Sequence, residues 1–143
     1  MDRLALKGER LPIGNTGAWF QVSDNVLHSI HLPPEVPAEF DSEALEQVRS
    51  AAGRFQFATE HASPFTRRVW ERMRAIPQGQ TLSYSALAAE VGYPRAPRAV
   101  GGAVGANPFL IVFPCHRVVG KNNLGGFREG LAWKRRLLAL EAL

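Results

Sequence analysis

The sequence predicts an α/β fold: a small N-terminal β-sheet domain over residues 1–62, then a mostly helical C-terminal domain over residues 63–143 carrying a winged-helix-like helix-turn-helix. Three observations predict it. Two β-rich runs meet at a turn in the first part. Capped helical periodicities dominate after residue 63. The charge also changes sign: residues 1–62 hold 5 Lys and Arg against 9 Asp and Glu, and residues 63–143 hold 12 against 4. A length of 143 residues suits one domain, or one with a small appendage.

Residues 18–32 read as a hairpin, with Ala18-Trp19-Phe20-Gln21-Val22 and Val26-Leu27-His28-Ser29-Ile30 as strands and Asp24-Asn25 as the turn. Pro33-Pro34 and Pro37 make a stiff loop. Asp41 or Ser42 can cap a helix over residues 42–52, ended by Gly53. Ser63-Pro64 opens a second helix through about Ile76, in which Phe65, Val69, Met73 and Ile76 recur at helical spacing. After the turn Pro77-Gln78-Gly79-Gln80, a short helix covers Ser83-Tyr84-Ser85-Ala86-Leu87-Ala88-Ala89-Glu90-Val91, and Gly92-Tyr93-Pro94 breaks it. A further helix over residues 95–106 completes a helix-turn-helix pattern.

That second helix is made of small residues: Ala96, Ala99, Gly101, Gly102, Ala103, Gly105 and Ala106. Each glycine costs a helix up to ~1 kcal/mol relative to alanine. Close packing on a neighbouring helix and insertion into a narrow groove explain this equally well. Arg95 and Arg98 at its start tip the balance towards the groove, because they can reach phosphates. The apolar run Phe109-Leu110-Ile111-Val112-Phe113 reads as a buried strand, and residues 132–142 as a last helix with Lys134, Arg135 and Arg136 on a basic face.

Composition excludes several classes. Hydrophobic residues make up 45% and charged residues 21%, a globular balance. No apolar run approaches the roughly 18 residues of a membrane span. Met1-Asp2-Arg3-Leu4 is not followed by an apolar signal core, so secretion is not expected. Cys115 is the one cysteine, which excludes an intramolecular disulfide and a multi-cysteine zinc site and fits the reducing cytoplasm. The net charge of +4 is a mild pointer to a polyanionic partner, and its concentration after residue 63 is the asymmetry expected of a nucleic-acid-binding part.

Cys115 ends the apolar run beside His116 and Arg117. A thiolate is the reactive form of cysteine, and neighbouring cations or hydrogen bonds favour it. A lone cysteine is also an ordinary small buried hydrophobe. Adjacent residues of an extended chain point to opposite sides, so a water is the expected link between Cys115 and His116. Glu141 lies three and four residues after Leu138 and Leu137, over the apolar stripe, where a carboxylate needs a partner. It could orient His116 or simply be an exposed helix-end residue. Taken alone, Tyr84 reads as a packing residue and Asn107, at a helix end before a proline, as a capping or turn residue.

Pro114-Cys115-His116-Arg117-Val118 resembles the active-site signature of the 6-O-alkylguanine-DNA alkyltransferases, the methylated-DNA–protein-cysteine methyltransferases. Ile76-Pro77-Gln78-Gly79-Gln80-Thr81 with Ser83-Tyr84, Arg98-Ala99-Val100-Gly101-Gly102-Ala103, Asn107-Pro108, Gly130-Leu131, and Lys134 with Leu137, Leu138 and Glu141 resemble that family in order and spacing. The resemblance covers roughly residues 64–142; the first 62 residues are only loosely similar.

The resemblance implies a protein that flips 6-O-alkylguanine out of double-stranded DNA and moves the alkyl group irreversibly onto Cys115, with 4-O-alkylthymine left open as a second substrate. His116 would act through a water as base, with Glu141 orienting it. Asn107 would hold the active-site turn, and Tyr84 would donate to the leaving base. Arg98 would fill the gap in the base stack, while Arg95, Ala99, Gly101, Gly102 and Arg117 would meet DNA along the minor groove. Pro114, Val118, Phe127 and Arg128 would form the base pocket. No metal or cofactor, no membrane and no obligate protein partner is expected, and the protein would be a cytoplasmic, nucleoid-associated monomer.

The sequence also departs from the family. Phe127 stands where tyrosine is common, and Arg128 and Glu129 stand where small residues are frequent. Ser63-Pro64-Phe65-Thr66 replaces a commoner pattern ahead of Trp70, and the N-terminal part has no cysteines for a phosphotriester-repairing zinc site. The alternative reading is a non-enzymatic, alkyltransferase-like protein that flags lesions for another pathway. That group has its acceptor cysteine replaced, so Cys115 argues against it. A thiol hydrolase built on Cys115, His116 and Glu141 would leave the helix-turn-helix and the basic half unexplained.

Overall fold

The computed structural model describes residues 8–142. The N-terminal stretch Met1-Asp2-Arg3-Leu4 lies outside the described residues. A four-stranded sheet comes first in the chain, in the order β1 (Glu9–Pro12), β2 (Trp19–Ser23), β3 (Val26–His31) and β4 (Gln56–Phe57). The expected hairpin is β2–β3. Asp24 and Asn25 turn it with φ of 48° and 68°, the left-handed conformation that matches strand twist in a tight hairpin. The edge strand β1 and the parallel two-residue β4 were not anticipated; neither carries a local signal of its own.

Helix α1 (Ser42–Ala52) is capped by Asp41, whose side chain accepts from the Ala44 amide, and stops at Gly53 as expected. It buries Ala44, Leu45, Val48, Ala51 and Ala52. Helix α2 (Pro64–Arg74) begins at the Ser63 cap with proline in its first turn, and buries Val69, Trp70 and Met73. The connection between β4 and α2 therefore contains the point where the charge changes sign. The core, however, runs across it: Phe57 lies against Phe109 and Phe113, with ring centroids 5.3 and 5.4 Å apart, and Trp70 meets Phe113 at 5.8 Å.

Helices α3 (Tyr84–Glu90) and α4 (Pro97–Gly105) form the helical pair, joined by a turn in which Gly92 has φ 93°. Ser83 caps α3 through the Ala86 amide. α4 begins later than the sequence suggests, because Pro97 occupies its first turn. Val100, Ala103 and Val104 face inward, and the Trp70 indole donates to the Ala103 carbonyl at 2.8 Å, fixing α4 to α2.

The run 109–113 is buried but is not a strand. Ile111 has φ 75°, a conformation that a β-branched residue adopts only under constraint, and the segment folds into consecutive turns. The constraint is Asn107: its side chain accepts from the Phe109 amide at 2.9 Å and donates to the Phe113 carbonyl at 2.7 Å. Cys115–Arg117 then forms one turn of 3-10 helix, so the cysteine and histidine do not alternate as in a strand. The chain enters β6 (Val118–Val119), which pairs in parallel with β5 (Leu82–Ser83).

Helix α5 (Leu131–Glu141) follows Gly130, whose φ is 104°. The Trp133 indole donates to the Pro33 carbonyl, and Arg136 donates to the Phe40 carbonyl at 2.8 Å, so the proline-rich loop is tied to α5. The predicted basic face needs correction at Lys134. That residue is fully buried, and its ammonium donates to the carbonyls of Val118 (2.7 Å) and Gly126 (2.9 Å). Among the described residues, no helix is long and apolar enough to cross a membrane.

Candidate active site

A pocket of about 400 Å³ opens between α3, α4 and the loop before α5. Cys115 lines it together with Tyr84, Gly101, Asn107, Phe127, Arg128 and Glu129 among others. Several predicted site residues are thus brought to one place. Pro114 and Val118 are not among them: both are buried beside the turn but outside the pocket lining, and Val118 is committed to β6.

Cys115 is 6% exposed. Burial pushes its thiol up to about 11; the Asn107 hydrogen bond and the nearby Lys134 and Arg128 cations pull it down, and Glu129 pushes it further up. The resting group is therefore a protonated thiol, and a nearby base must take the proton for sulfur to attack.

His116, next to Cys115 in the chain, is fully buried. Its Nε2 lies 2.9 Å from Glu141 Oε2, which fixes the neutral ring with the proton on Nε2 and the lone pair on Nδ1. Nδ1 is buried with no hydrogen-bond partner in the protein. Burial pushes the His116 pKa below its ordinary value, more strongly than Glu141 lifts it. The ring is neutral at pH 7, as a base requires.

Glu141 is 4% exposed at the end of α5 and, besides His116, meets two arginines. Arg117 grips it twice, from Nε to Oε1 at 2.9 Å and from Nη2 to Oε2 at 2.6 Å, and Arg49 Nη2 reaches Oε2 at 2.6 Å. Burial alone would raise this carboxyl, but the His116 and Arg117 hydrogen bonds outweigh it and hold the pKa at about 2.

This geometry corrects the expectation that Arg117 meets DNA. The residue is 8% exposed, and its guanidinium is used up on Glu141 and on the Ile76 carbonyl at 2.8 Å. Arg49 was missed altogether. It lies in the last turn of α1, 92 positions from Glu141, and no motif marks it. Lys134 had a signal that was not used: it stands seven residues before Glu141, so the two share one helical face.

Tyr84 borders the pocket, and burial raises its pKa against a Gly126 backbone hydrogen bond that lowers it, so the phenol keeps its proton. Gly125, at φ 73°, lies so close that a Cβ there would come within 2.8 Å of the tyrosine ring. Across α4 the outer face is bare. Arg95, Arg98, Ala99 and Gly102 are exposed, and a Cβ on Gly102 or Gly105 would meet nothing within 4 Å. Close packing within the chain thus does not account for these two glycines. Gly101 faces inward, with its would-be Cβ 3.7 Å from Tyr84.

Fold and site together define a class: an α/β protein that sets one buried thiol, backed by a histidine and a carboxylate, at the base of a pocket beside a small-residue helix. A family model described as 6-O-methylguanine DNA methyltransferase, DNA binding domain, matches residues 64–143. The chain belongs to that family. Over 79 residues it is 53% identical to a probable methylated-DNA–protein-cysteine methyltransferase of Acanthamoeba polyphaga mimivirus, covering 55% of this chain and 53% of the relative. Over 80 residues it is 54% identical to the methylated-DNA–protein-cysteine methyltransferase of Salmonella typhimurium, covering 55% and 47%. The matched segment thus spans about half the length of these curated relatives. Among solved structures, the Mycobacterium tuberculosis OGT in complex with DNA is 31% identical with a TM-score of 0.68, covering 87% of this chain and 86% of that one.

Proposed function

We propose that this protein is a single-use acceptor of alkyl groups from DNA, which takes the alkyl carbon from O6 of a guanine onto Cys115. The observation that carries the reading is the placement of one buried, protonated thiol at the base of an open pocket, with His116 and Glu141 behind it. The thiol proton passes through a water to His116 Nδ1, and Glu141 stabilises the imidazolium that forms. A bond forms between sulfur and the alkyl carbon while the carbon–O6 bond breaks. Tyr84 donates its phenol proton to the departing guanine, and the proton held on His116 returns through water to the tyrosinate, leaving both groups neutral. The thioether is stable, so one chain serves one lesion.

A base inside a duplex cannot reach such a pocket, so it must be extruded. The bare face of α4, with Arg98, Ala99 and Gly102, together with Arg95 in the turn before it, is the surface proposed to lie in the minor groove, and Arg98 is the side chain proposed to replace the base in the stack. Membership of the family and the likeness to a relative solved with DNA support this assignment.

The test is incubation with a duplex oligonucleotide containing 6-O-methylguanine, followed by intact mass measurement and peptide mapping. One methylene mass per chain, on Cys115 and without turnover, is expected. Binding without any adduct would overturn transfer in favour of a lesion-flagging role.

A further inference from the structure

The lining of the pocket includes a charge that the transfer reaction does not use. Glu129 contributes to the wall that holds Cys115, and its side chain is 20% exposed. Its Oε2 lies 3.6 Å from Arg128 Nε, a loose ion pair on a side chain that is 55% exposed and that also gives Nη2 to the Asn107 carbonyl at 3.0 Å. Its Oε1 is shut off from solvent with no hydrogen-bond partner. A carboxylate with one weak counterion and one unpaired oxygen therefore stands in the wall of a site that a flipped base would fill.

We propose that Glu129 makes this pocket selective by charge, admitting neutral alkyl groups to Cys115 and turning away alkyl groups that end in a carboxylate. The inference rests on the alkyl-acceptor reading and adds the substrate class to it. A base entering the pocket displaces water, which removes the screening that hides a wall charge from solution. An anionic alkyl group must then sit near Glu129, while Arg128 is tied to the Asn107 carbonyl. A neutral alkyl group meets no such opposition. The same charge disfavours thiolate on Cys115, which agrees with the direction in which Glu129 moves that thiol.

The experiment uses the full chain and three oligonucleotides of one sequence, carrying 6-O-methyl-, 6-O-(2-hydroxyethyl)- or 6-O-carboxymethylguanine. Single-turnover rates of adduct formation are read by mass, and the quantity of interest is the carboxymethyl-to-hydroxyethyl rate ratio, from which the reactivity of the sulfur cancels. The ratio is expected to be roughly tenfold or more below unity in the parent and to move towards unity in Glu129→Gln and Glu129→Ala, each with an unchanged melting curve. A ratio near unity in the parent, or one that neither variant alters, overturns the proposal. If no oligonucleotide yields an adduct, the transfer reading itself has failed. The charge inference is then decided by whether Cys115→Ala binds the carboxymethyl duplex more weakly than the hydroxyethyl one, and whether adding Glu129→Gln removes that difference.

Discussion

Replacing Glu141 by glutamine keeps the side-chain shape and removes the charge at which His116, Arg117 and Arg49 converge. Two routes give the size of the effect. The carboxyl is held at about 2 against an ordinary 4.5, and about 1.4 kcal/mol per unit makes its ionised form worth on the order of 3 kcal/mol to the folded state. Independently, removing one partner of a buried ion pair costs about 3–5 kcal/mol, because the remaining charge is stranded, here on the nearly buried Arg117. Because the folded pKa is depressed, the contribution is fully present above about pH 4.5 and is lost as pH falls towards 2.

Urea denaturation of parent and Glu141→Gln at a series of pH values reads this directly. At pH 7 the variant should be less stable by about 3 kcal/mol with an unchanged denaturant slope, and the gap should close as pH falls below about 4.5. A gap under about 1 kcal/mol at pH 7, or one that does not narrow with acid, would refute the view that this carboxylate is ionised and held by its cations.

Three further outcomes rest on the same site and its surroundings. With the His116 pKa below its ordinary 6.5 and the thiol at about 11, the single-turnover transfer rate should be flat from pH 7 to pH 9; a tenfold rise per pH unit would show that free thiolate, not the histidine, carries the reaction. Gly102→Leu should raise helix stability by roughly 0.5–1 kcal/mol, since nothing crowds the site, while weakening duplex binding measured by fluorescence anisotropy. Lys134→Met should lower the denaturation midpoint by an amount equal to about 2 kcal/mol, because two buried carbonyls lose their donor, and should slow transfer by loosening the loop at Gly126.

Where the sequence could be read, the signal was local. Asp41 caps the helix it was expected to cap and Ser63 opens the next one, because a cap is decided within three residues. Residues 109–113 misled because a short, wholly apolar run has no period to distinguish strand from packed turn. The turn depends on one asparagine clamping both ends of the segment. Cys115, His116 and Glu141 were legible through motif resemblance, and the geometry brings the last two into contact. The arginine partners of Glu141 were not: Arg49 reaches it across 92 positions with no motif around it, and Arg117, though inside the signature, carries no local sign of a carboxylate 24 positions away.

Arg49 also alters the meaning of the charge asymmetry. The acidic first part of the chain delivers a cation to the carboxylate that meets His116, so the change of sign near residue 62 does not separate structure from the candidate site. The arrangement sets two requirements against each other. Arg49 and Arg117 keep Glu141 ionised, which gives an imidazolium on His116 its counterion, yet both cations also lower the basicity of that histidine. A catalyst that must regenerate would need the thiol near its working pH. An acceptor used once does not. A thiol of high pKa is a strong nucleophile once deprotonated, and while protonated it is unreactive. On the proposed reading, weak basicity in His116 and a high pKa at Cys115 hold the sulfur in reserve, and the bound base completes the site that releases it.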